Sequence, residues 1–168
     1  MRVGLVTGTV GIGKSTVGYA VAERAAARGI SAAFLDVDQL SRLWPAPAGD
    51  PFRTALILTN LRAITGNYEA AGAALLVLAW VVTEAEDLTA LEAAVNGPVT
   101  AIRLTASRAV IEARLRRRHQ GPESDGLAWH LRRARELVAI QDRGLLMPTI
   151  DASGPVNEVA DAVLRRLD

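Results

Sequence analysis

The chain has 168 residues, of which half are hydrophobic, with a formal net charge of +1 at pH 7 and no cysteine. This length suits one domain with its own core, so we expect a single domain over 1–168. The lack of cysteine excludes disulfides and thiolate chemistry. A net charge near zero gives no general attraction to nucleic acid, and the longest apolar run, 73–82, is too short to span a bilayer. We therefore expect a cytoplasmic protein without a signal peptide and without a nucleic-acid or membrane partner.

The first feature in chain order is a strand followed by a glycine-rich loop. An apolar run at 3–7 leads into Gly8-Thr9-Val10-Gly11-Ile12-Gly13-Lys14-Ser15-Thr16, which has the spacing G-x-x-x-x-G-K-[ST]. Loops of this spacing wrap backbone N–H groups around phosphate oxygens while the lysine reaches the β and γ phosphates. We expect the Ser15 hydroxyl to bind Mg²⁺ and Thr16 to contact an α-phosphate oxygen. The predicted phosphate-binding residues are Gly8, Val10, Gly11, Ile12, Gly13, Lys14, Ser15 and Thr16.

Short apolar runs then alternate with helical stretches along the whole chain. This alternation is typical of parallel strands joined by crossover helices, and right-handed crossovers place helices on both faces of the sheet. We predict an α/β fold, a three-layer α/β/α sandwich with a five-stranded parallel sheet. The predicted strands are 3–7, 32–36, 75–82, 99–104 and 148–151, and the predicted helices are 14–28, 52–66, 84–95, 107–118, 127–143 and 155–167.

Two aspartates, Asp36 and Asp38, follow the second predicted strand at the carboxyl edge of the sheet. In an extended chain, residues two apart point to the same side, so both carboxylates would face the γ-phosphate. One can hold Mg²⁺ through water, and the other can accept a proton from an attacking hydroxyl. Which aspartate is the base stays open. The alternative without a catalytic role is an Asx-turn or a helix cap.

A proline-rich loop at 44–51 and the helix after it follow on the same side of the predicted sheet. Arg53 and Asn60 lie seven residues apart on a mostly apolar helix face, and Trp44 lies close to the two aspartates in sequence. Polar groups on an apolar face need partners. A hydroxylated or anionic substrate is one candidate partner, and water or a neighbouring loop is another. We assign the acceptor side of the domain to about 39–72.

A polar loop at 119–126 separates two helices that are rich in arginine. Arg114, Arg117 and Arg118 share one face of the first helix by their spacing of three and four residues, and Arg133 lies near the start of the second. An arginine supplied by a closing lid stabilises the charge on a phosphoryl group in transfer. We predict a lid over about 114–133 in which one or two arginines act, while the others are solvated.

Together, the glycine-rich loop, the Asp-x-Asp strand end and the arginine-flanked lid resemble the small P-loop kinases typified by shikimate, gluconate and adenylylsulfate kinases. The resemblance covers nearly the whole chain. It implies the strand order 2-3-1-4-5, the cofactors ATP and Mg²⁺, and aspartates at the metal and at the acceptor hydroxyl. It also implies an adenine-side loop at 151–155, with Ser153, Gly154 and Pro155 as nucleotide-binding residues.

The motifs, the residue spacing and the resemblance together assign expected roles to individual residues of this sequence. Lid residues Arg114 and Arg118 are expected to bind the nucleotide, and Ser15 and Asp36 the metal. The expected catalytic residues are Lys14, Asp36, Asp38, Arg117 and Arg133. The expected substrate-binding residues are Asp38, Arg42, Trp44, Arg53 and Asn60.

Two departures from the family leave the acceptor open. The segment 35–42 resembles the L-D-G-D-N-x-R element of adenylylsulfate kinases, but Val37 replaces the glycine and Arg42 is displaced by one residue. The Gly-Gly-Gly of shikimate kinases is replaced by 78–82. We predict a kinase that transfers the γ-phosphate of ATP to a hydroxyl of a small molecule, as a monomer or homodimer. The alternatives are a nucleoside or nucleotide kinase, and a nucleotide-binding regulatory ATPase without an acceptor.

Overall fold

A computed structural model describes residues 1–120, 126–144 and 146–168. Five parallel strands form one sheet in the order β2-β3-β1-β4-β5. This confirms the predicted sandwich and its strand order 2-3-1-4-5. The strands are β1 (Arg2–Thr7), β2 (Ala32–Asp36), β3 (Leu75–Ala79), β4 (Val99–Thr105) and β5 (Thr149–Asp151). The helices of the described residues are α1 (Lys14–Ala27), α2 (Thr54–Ala70), α3 (Ala85–Val95), α4 (Arg108–Arg118), α5 (Leu127–Gly144) and α6 (Val156–Leu167), with a 3₁₀ helix at Val37–Ser41.

The sheet is buried on both faces because successive side chains of each strand enter different cores. In β3, Leu75 and Val77 pack with α1 and α6 on one face, whereas Leu76 and Leu78 pack with α2 and α3 on the other. All five residues of β3 are buried. A strand covered on both faces reads as a continuous apolar run, which is why the sequence pattern located these strands.

The third strand is shorter than the predicted 75–82. Its last residue, Ala79, lies opposite Asp36 and Val6, and the chain then leaves the sheet. The backbone N–H of Val82 donates to the Thr7 hydroxyl over 3.1 Å instead. The apolar run continues past the strand because Val82 is buried in the core on the α2 and α3 face rather than paired in the sheet.

Several other boundaries differ from the expected ones by one residue, and two differences are larger. Helix α2 begins at Thr54 and runs to Ala70, past the predicted end at residue 66. After β2 the chain turns at once into the 3₁₀ helix Val37–Ser41, so the extended geometry expected through Asp38 is wrong. The predicted lid loop falls partly on residues 121–125, which lie outside the described residues. In the part of the chain that the structure describes, every helix is too short or too polar to cross a bilayer.

Candidate active site

The glycine-rich loop between β1 and α1 has a backbone that only glycine adopts easily. Gly8, Gly11 and Gly13 have φ angles of 138°, 80° and 105°, in the region that L side chains avoid. A Cβ at Gly8 would lie 2.8 Å from the carbonyl oxygen of Leu104, and one at Gly11 would lie 2.7 Å from a methyl group of Leu115. The glycines are therefore required by both backbone conformation and space.

Two residues of the loop fasten it to the protein interior. The side chain of Ile12 is fully buried in the core. The hydroxyl of Thr9 donates to the backbone carbonyl of Ala134 in α5 over 2.9 Å. Sequence reasoning missed the role of Thr9, because a variable position of the motif carries no signal about its partner 125 residues later. The protein interior itself thus holds the loop in place.

Lys14 is the first residue of α1 and lies folded back over the loop. Its ammonium donates to the carbonyl oxygen of Thr9 over 3.1 Å. Burial among the loop and its neighbours lowers the pKa of Lys14 to about 8, against the opposing effect of Asp38 and Asp36. The ammonium is poorly solvated at this position, so an anion placed in the loop would stabilise its charged form.

Ser15 and Asp36 bring two oxygen atoms together at the carboxyl edge of the sheet. The Ser15 hydroxyl donates to one carboxylate oxygen of Asp36 over 2.6 Å. The other carboxylate oxygen accepts from the backbone N–H of Asp38 over 3.2 Å and caps the 3₁₀ helix. Asp36 therefore forms the helix cap that was expected as the alternative to a catalytic role. Its second carboxylate oxygen also lies beside the Ser15 hydroxyl.

Asp38 lies on the 3₁₀ helix and faces the same space as the loop. Partial removal from water is the main reason that its pKa is raised above the ordinary value of an aspartate, and the nearby charge of Asp36 adds to the effect. Lys14 and a hydrogen bond from Trp80 act in the opposite direction. The two aspartates thus differ in their surroundings. Asp36 is bonded to Ser15, whereas the pKa of Asp38 is raised by partial burial and by the charge of Asp36.

These groups surround one cavity of about 620 Å³. Its lining includes the loop residues from Val10 to Val17, both aspartates and Gln39 on the β2 side, and three predicted lid arginines on the α4 side. The arginines are Arg114, Arg117 and Arg118. The structure therefore brings most of the predicted phosphate, metal and lid residues to one place, although Gly8 itself does not line the cavity. Gln39 is a lining residue that sequence reasoning missed, although its position next to Asp38 was a usable signal.

Arg114 joins the glycine-rich loop to the segment after β5 through its forked guanidinium. One nitrogen donates to the carbonyl oxygen of Ile12 over 2.8 Å, and the other donates to the carbonyl oxygen of Ala152 over 2.7 Å. Ala152 is buried and lines the cavity together with Gly154. Ala152 was missed, since nothing in an alanine signals this contact.

Three other predicted nucleotide and lid residues do not line the cavity. Arg133 pairs with Glu136 over 3.3 Å on the exposed side of α5. Ser153 is held by Asp151, whose carboxylate accepts from both its N–H and its hydroxyl. Pro155 is the residue before α6. The catalytic role of Arg133 and the adenine-side roles of Ser153 and Pro155 stay predictions.

Most of the predicted substrate residues do not line the cavity. Arg53 donates to the carbonyl oxygen of Leu43 over 2.9 Å, and Asn60 donates to the carbonyl oxygen of Leu40 over 3.0 Å. The partner of Arg53 thus lies in a neighbouring loop, which was one of the expected alternatives, and the partner of Asn60 lies in the 3₁₀ helix before that loop. Arg42 and Trp44 are exposed. Only Asp38 of this group lines the cavity.

The parallel sheet in the order 2-3-1-4-5, with a P-loop between β1 and α1, has the fold of the small P-loop kinases. A gluconokinase from Sinorhizobium meliloti 1021 superposes with a TM-score of 0.64 at 23% identity, over 99% of this chain and 91% of that chain. The APS kinase of Mycobacterium tuberculosis, solved with AMPPNP and APS, gives a TM-score of 0.61 at 23% identity, over 99% and 96%. A shikimate kinase from Bacteroides thetaiotaomicron gives a TM-score of 0.55 at 15% identity, over 99% and 95%. The sequence matches no protein-family model and no curated protein.

Proposed function

We propose that the protein is a kinase that transfers the γ-phosphoryl group of ATP to a hydroxyl group of a small molecule. The supporting observation is the shared cavity of about 620 Å³, which the P-loop, both aspartates and three arginines line together. Phosphoryl transfer requires groups that hold the polyphosphate, groups that neutralise its charge and a group that orients the attacking oxygen. The residues around this cavity include candidates for all three.

The P-loop holds the polyphosphate. Its backbone N–H groups and the N-terminus of α1 supply hydrogen-bond donors and the positive end of a helix dipole. Lys14 is poorly solvated and gains a counter-charge when phosphate oxygens enter the loop. Its ammonium then exchanges the carbonyl oxygen of Thr9 for the β and γ phosphates.

Ser15 and Asp36 fit a magnesium site. Mg²⁺ is usually held in such enzymes by one or two protein oxygens together with phosphates and water, and these two residues place a hydroxyl and a carboxylate oxygen 2.6 Å apart. Among the described residues, no group of three or more acidic or histidine side chains is placed to hold an ion alone. When bound, Mg²⁺ would neutralise charge on the β and γ phosphates.

Asp38 is the proposed base. Its raised pKa makes it a better proton acceptor than an ordinary aspartate, while Asp36 is already bonded to Ser15. Asp38 takes the proton of the acceptor hydroxyl as that oxygen forms a bond to the γ-phosphorus. The bond from the γ-phosphorus to the bridging oxygen breaks, and ADP leaves with those electrons. Charge that develops on the transferred group faces Lys14 and the cationic side chains of Arg117 and Arg118.

Release of ADP in the presence of candidate acceptors tests this proposal. Sugars, nucleosides, hydroxy acids and aminocyclitols are each offered with MgATP, and product phosphate ester is measured by mass spectrometry. Asp38→Asn is expected to lower kcat by roughly 10²- to 10⁴-fold and to leave the Kd for MgAMPPNP near its original value. Lys14→Ala is expected to weaken nucleotide binding as well.

Glu23→Gln is the matched control, because Glu23 is an exposed carboxylate on α1 outside the cavity lining. ADP release that is equal with and without every acceptor would contradict phosphoryl transfer and favour a nucleotide-binding ATPase. Unchanged turnover in Asp38→Asn would remove Asp38 as the base.

A further inference from the structure

The active-site cavity reaches from one outer strand of the sheet to the other. Strands β2 and β5 are the two edges of the sheet, and β1, which leads into the P-loop, lies between them. Asp38 and Gln39 line the cavity on the β2 side, whereas Ala152 and Gly154 line it on the β5 side. When a polyphosphate lies in the P-loop with its γ-phosphate toward the aspartates, the nucleoside part of the donor therefore lies on the β5 side.

The segment after β5 and helix α6 contribute no polar side chain to the cavity lining. Besides Ala152 and Gly154, their lining residues are Val156 and Val159 at the start of α6. Val159 is buried, whereas Val156 is 39% exposed. None of these four residues has a side-chain hydrogen-bond donor or acceptor. These four residues, which we call the apolar wall, offer a nucleobase hydrocarbon contact.

The polar groups around the apolar wall hold the protein's own loop in place. Both terminal nitrogens of Arg114 donate to backbone carbonyls, one of which is the carbonyl of Ala152. The N–H of Ala152 donates to the carbonyl oxygen of Thr105 over 2.7 Å. The Asp151 carboxylate accepts from the N–H and the hydroxyl of Ser153, and neither of these two residues lines the cavity. These groups are therefore already bonded within the protein.

Discrimination between nucleobases depends on hydrogen bonds to their edges, since adenine presents an amino group where guanine presents a carbonyl oxygen. A site that bonds such a group rejects an analogue without it by about 10⁴-fold or more, whereas an apolar pocket rejects a poorly matched group by only about 10²-fold. Contact with the face of a base is tolerant, because every base has an aromatic face. An apolar wall therefore binds different bases with similar affinity.

Building on the proposed kinase function, we infer that the phosphoryl donor is a nucleoside triphosphate selected by its phosphates and not by its base. The P-loop holds the phosphates, and the apolar wall packs against the base. GTP, CTP and UTP therefore serve as donors as well as ATP. In each case the bond from the γ-phosphorus to the bridging oxygen breaks, and the nucleoside diphosphate leaves with those electrons.

Isothermal titration calorimetry with the β,γ-imido analogues of ATP, GTP, CTP and UTP, each with Mg²⁺, tests the inference. Inorganic tripolyphosphate is the probe without a base. We expect the four nucleotide Kd values to lie within about tenfold of each other, because the edges of the bases meet no hydrogen-bonding side chain at the apolar wall. Tripolyphosphate should bind more weakly than all four, because it makes no contact with that wall.

Val156→Ser removes hydrocarbon from the apolar wall at a partly exposed position, so it takes little packing from the core. It should raise the Kd of all four nucleotides by a common factor of roughly threefold to tenfold. The Kd of tripolyphosphate should stay unchanged, which would show that the P-loop is intact. Leu146→Ser is the matched control, because Leu146 is an exposed apolar residue that does not line the cavity. None of the five Kd values should change in this control.

A spread of more than about tenfold among the four nucleotides would overturn the inference, because a polar group would then distinguish the bases. A loss of affinity in Val156→Ser that is confined to one nucleotide would overturn it as well, and so would nucleotide binding no tighter than that of tripolyphosphate. ADP release that no acceptor raises contradicts the proposed kinase function, whereas a spread of Kd values contradicts only the inference about the base. A protein that binds none of the five probes contradicts both.

Discussion

The hydroxyl of Thr9 in the P-loop donates to the backbone carbonyl of Ala134 in α5 over 2.9 Å, in the buried interior. A second link lies nearby, where the side-chain amide of Gln141 donates to the carbonyl oxygen of Val82 over 3.0 Å. The N–H of Val82 in turn donates to the hydroxyl of Thr7 just before the loop. Helix α5 is therefore bonded directly to the P-loop through Thr9, and it is linked through Val82 to Thr7 at the end of β1.

Thr9→Val is expected to lower the free energy of unfolding by about 1 kcal/mol, because it keeps the shape of the side chain but removes a buried donor. Urea unfolding at pH 7 measures the change. Thr89→Val is the control, since the Thr89 hydroxyl makes an exposed bond within α3, and we expect a change within about 0.5 kcal/mol there. Equal losses in the two variants would contradict a structural role for the Thr9 bond.

Lys14→Met is expected to stabilise the nucleotide-free protein while it abolishes tight nucleotide binding. Burial lowers the pKa of Lys14 to about 8 from 10.5, so the charged form is less favourable in the folded state than in the unfolded chain. The increase in the free energy of unfolding should be complete below about pH 8, where Lys14 is charged in both states. It should shrink as the pH rises and vanish above 10.5, the pKa of Lys14 in the unfolded chain. Thermal unfolding across pH 6–10 measures it. A variant less stable than the parent at pH 7 would show that the ammonium is well solvated in the nucleotide-free protein.

Gly11→Ala is expected to destabilise the protein by roughly 1–3 kcal/mol, because the backbone at Gly11 has positive φ and a Cβ would meet Leu115 at 2.7 Å. Gly66→Ala is the matched control. Gly66 lies inside α2, where an added methyl group would have nothing within 4 Å, so alanine there should stabilise by up to about 1 kcal/mol. Chemical denaturation measures the change in the free energy of unfolding of both variants. A change of the same sign in both would contradict the conformation of the loop at Gly11.

The pH dependence of kcat should report the titration of Asp38. Its pKa is raised, mainly by partial removal from water, and a base must be deprotonated to act. As the pH decreases, kcat should therefore begin to fall at a pH above ~3.9, the value at which an ordinary aspartate titrates. Asp38→Asn should remove this acidic limb along with most of the activity. A limb that persists unchanged in the residual activity of the variant would assign it to another group.

Local chemistry was enough to locate the P-loop and the sheet from the amino-acid sequence. The glycines at 8, 11 and 13 are demanded by backbone angles that do not depend on distant partners, and a strand buried on both faces, such as β3, is apolar throughout. Strand ends were harder to place, because the chain after Ala79 stays apolar, with Val82 buried, although it no longer pairs in the sheet.

The sequence by itself determined the fold class, the strand order implied by family resemblance, and the position of the P-loop beside two aspartates. Only the tertiary structure decided which residues meet. It bonds Ser15 to Asp36, and it joins the P-loop to the segment after β5 through Arg114. It also pairs Arg133 with Glu136, and it bonds Arg53 and Asn60 to backbone carbonyls. The physical reason is that backbone conformation and periodicity are local properties of the chain. The partner of a polar side chain is instead chosen by packing between segments that lie far apart in sequence.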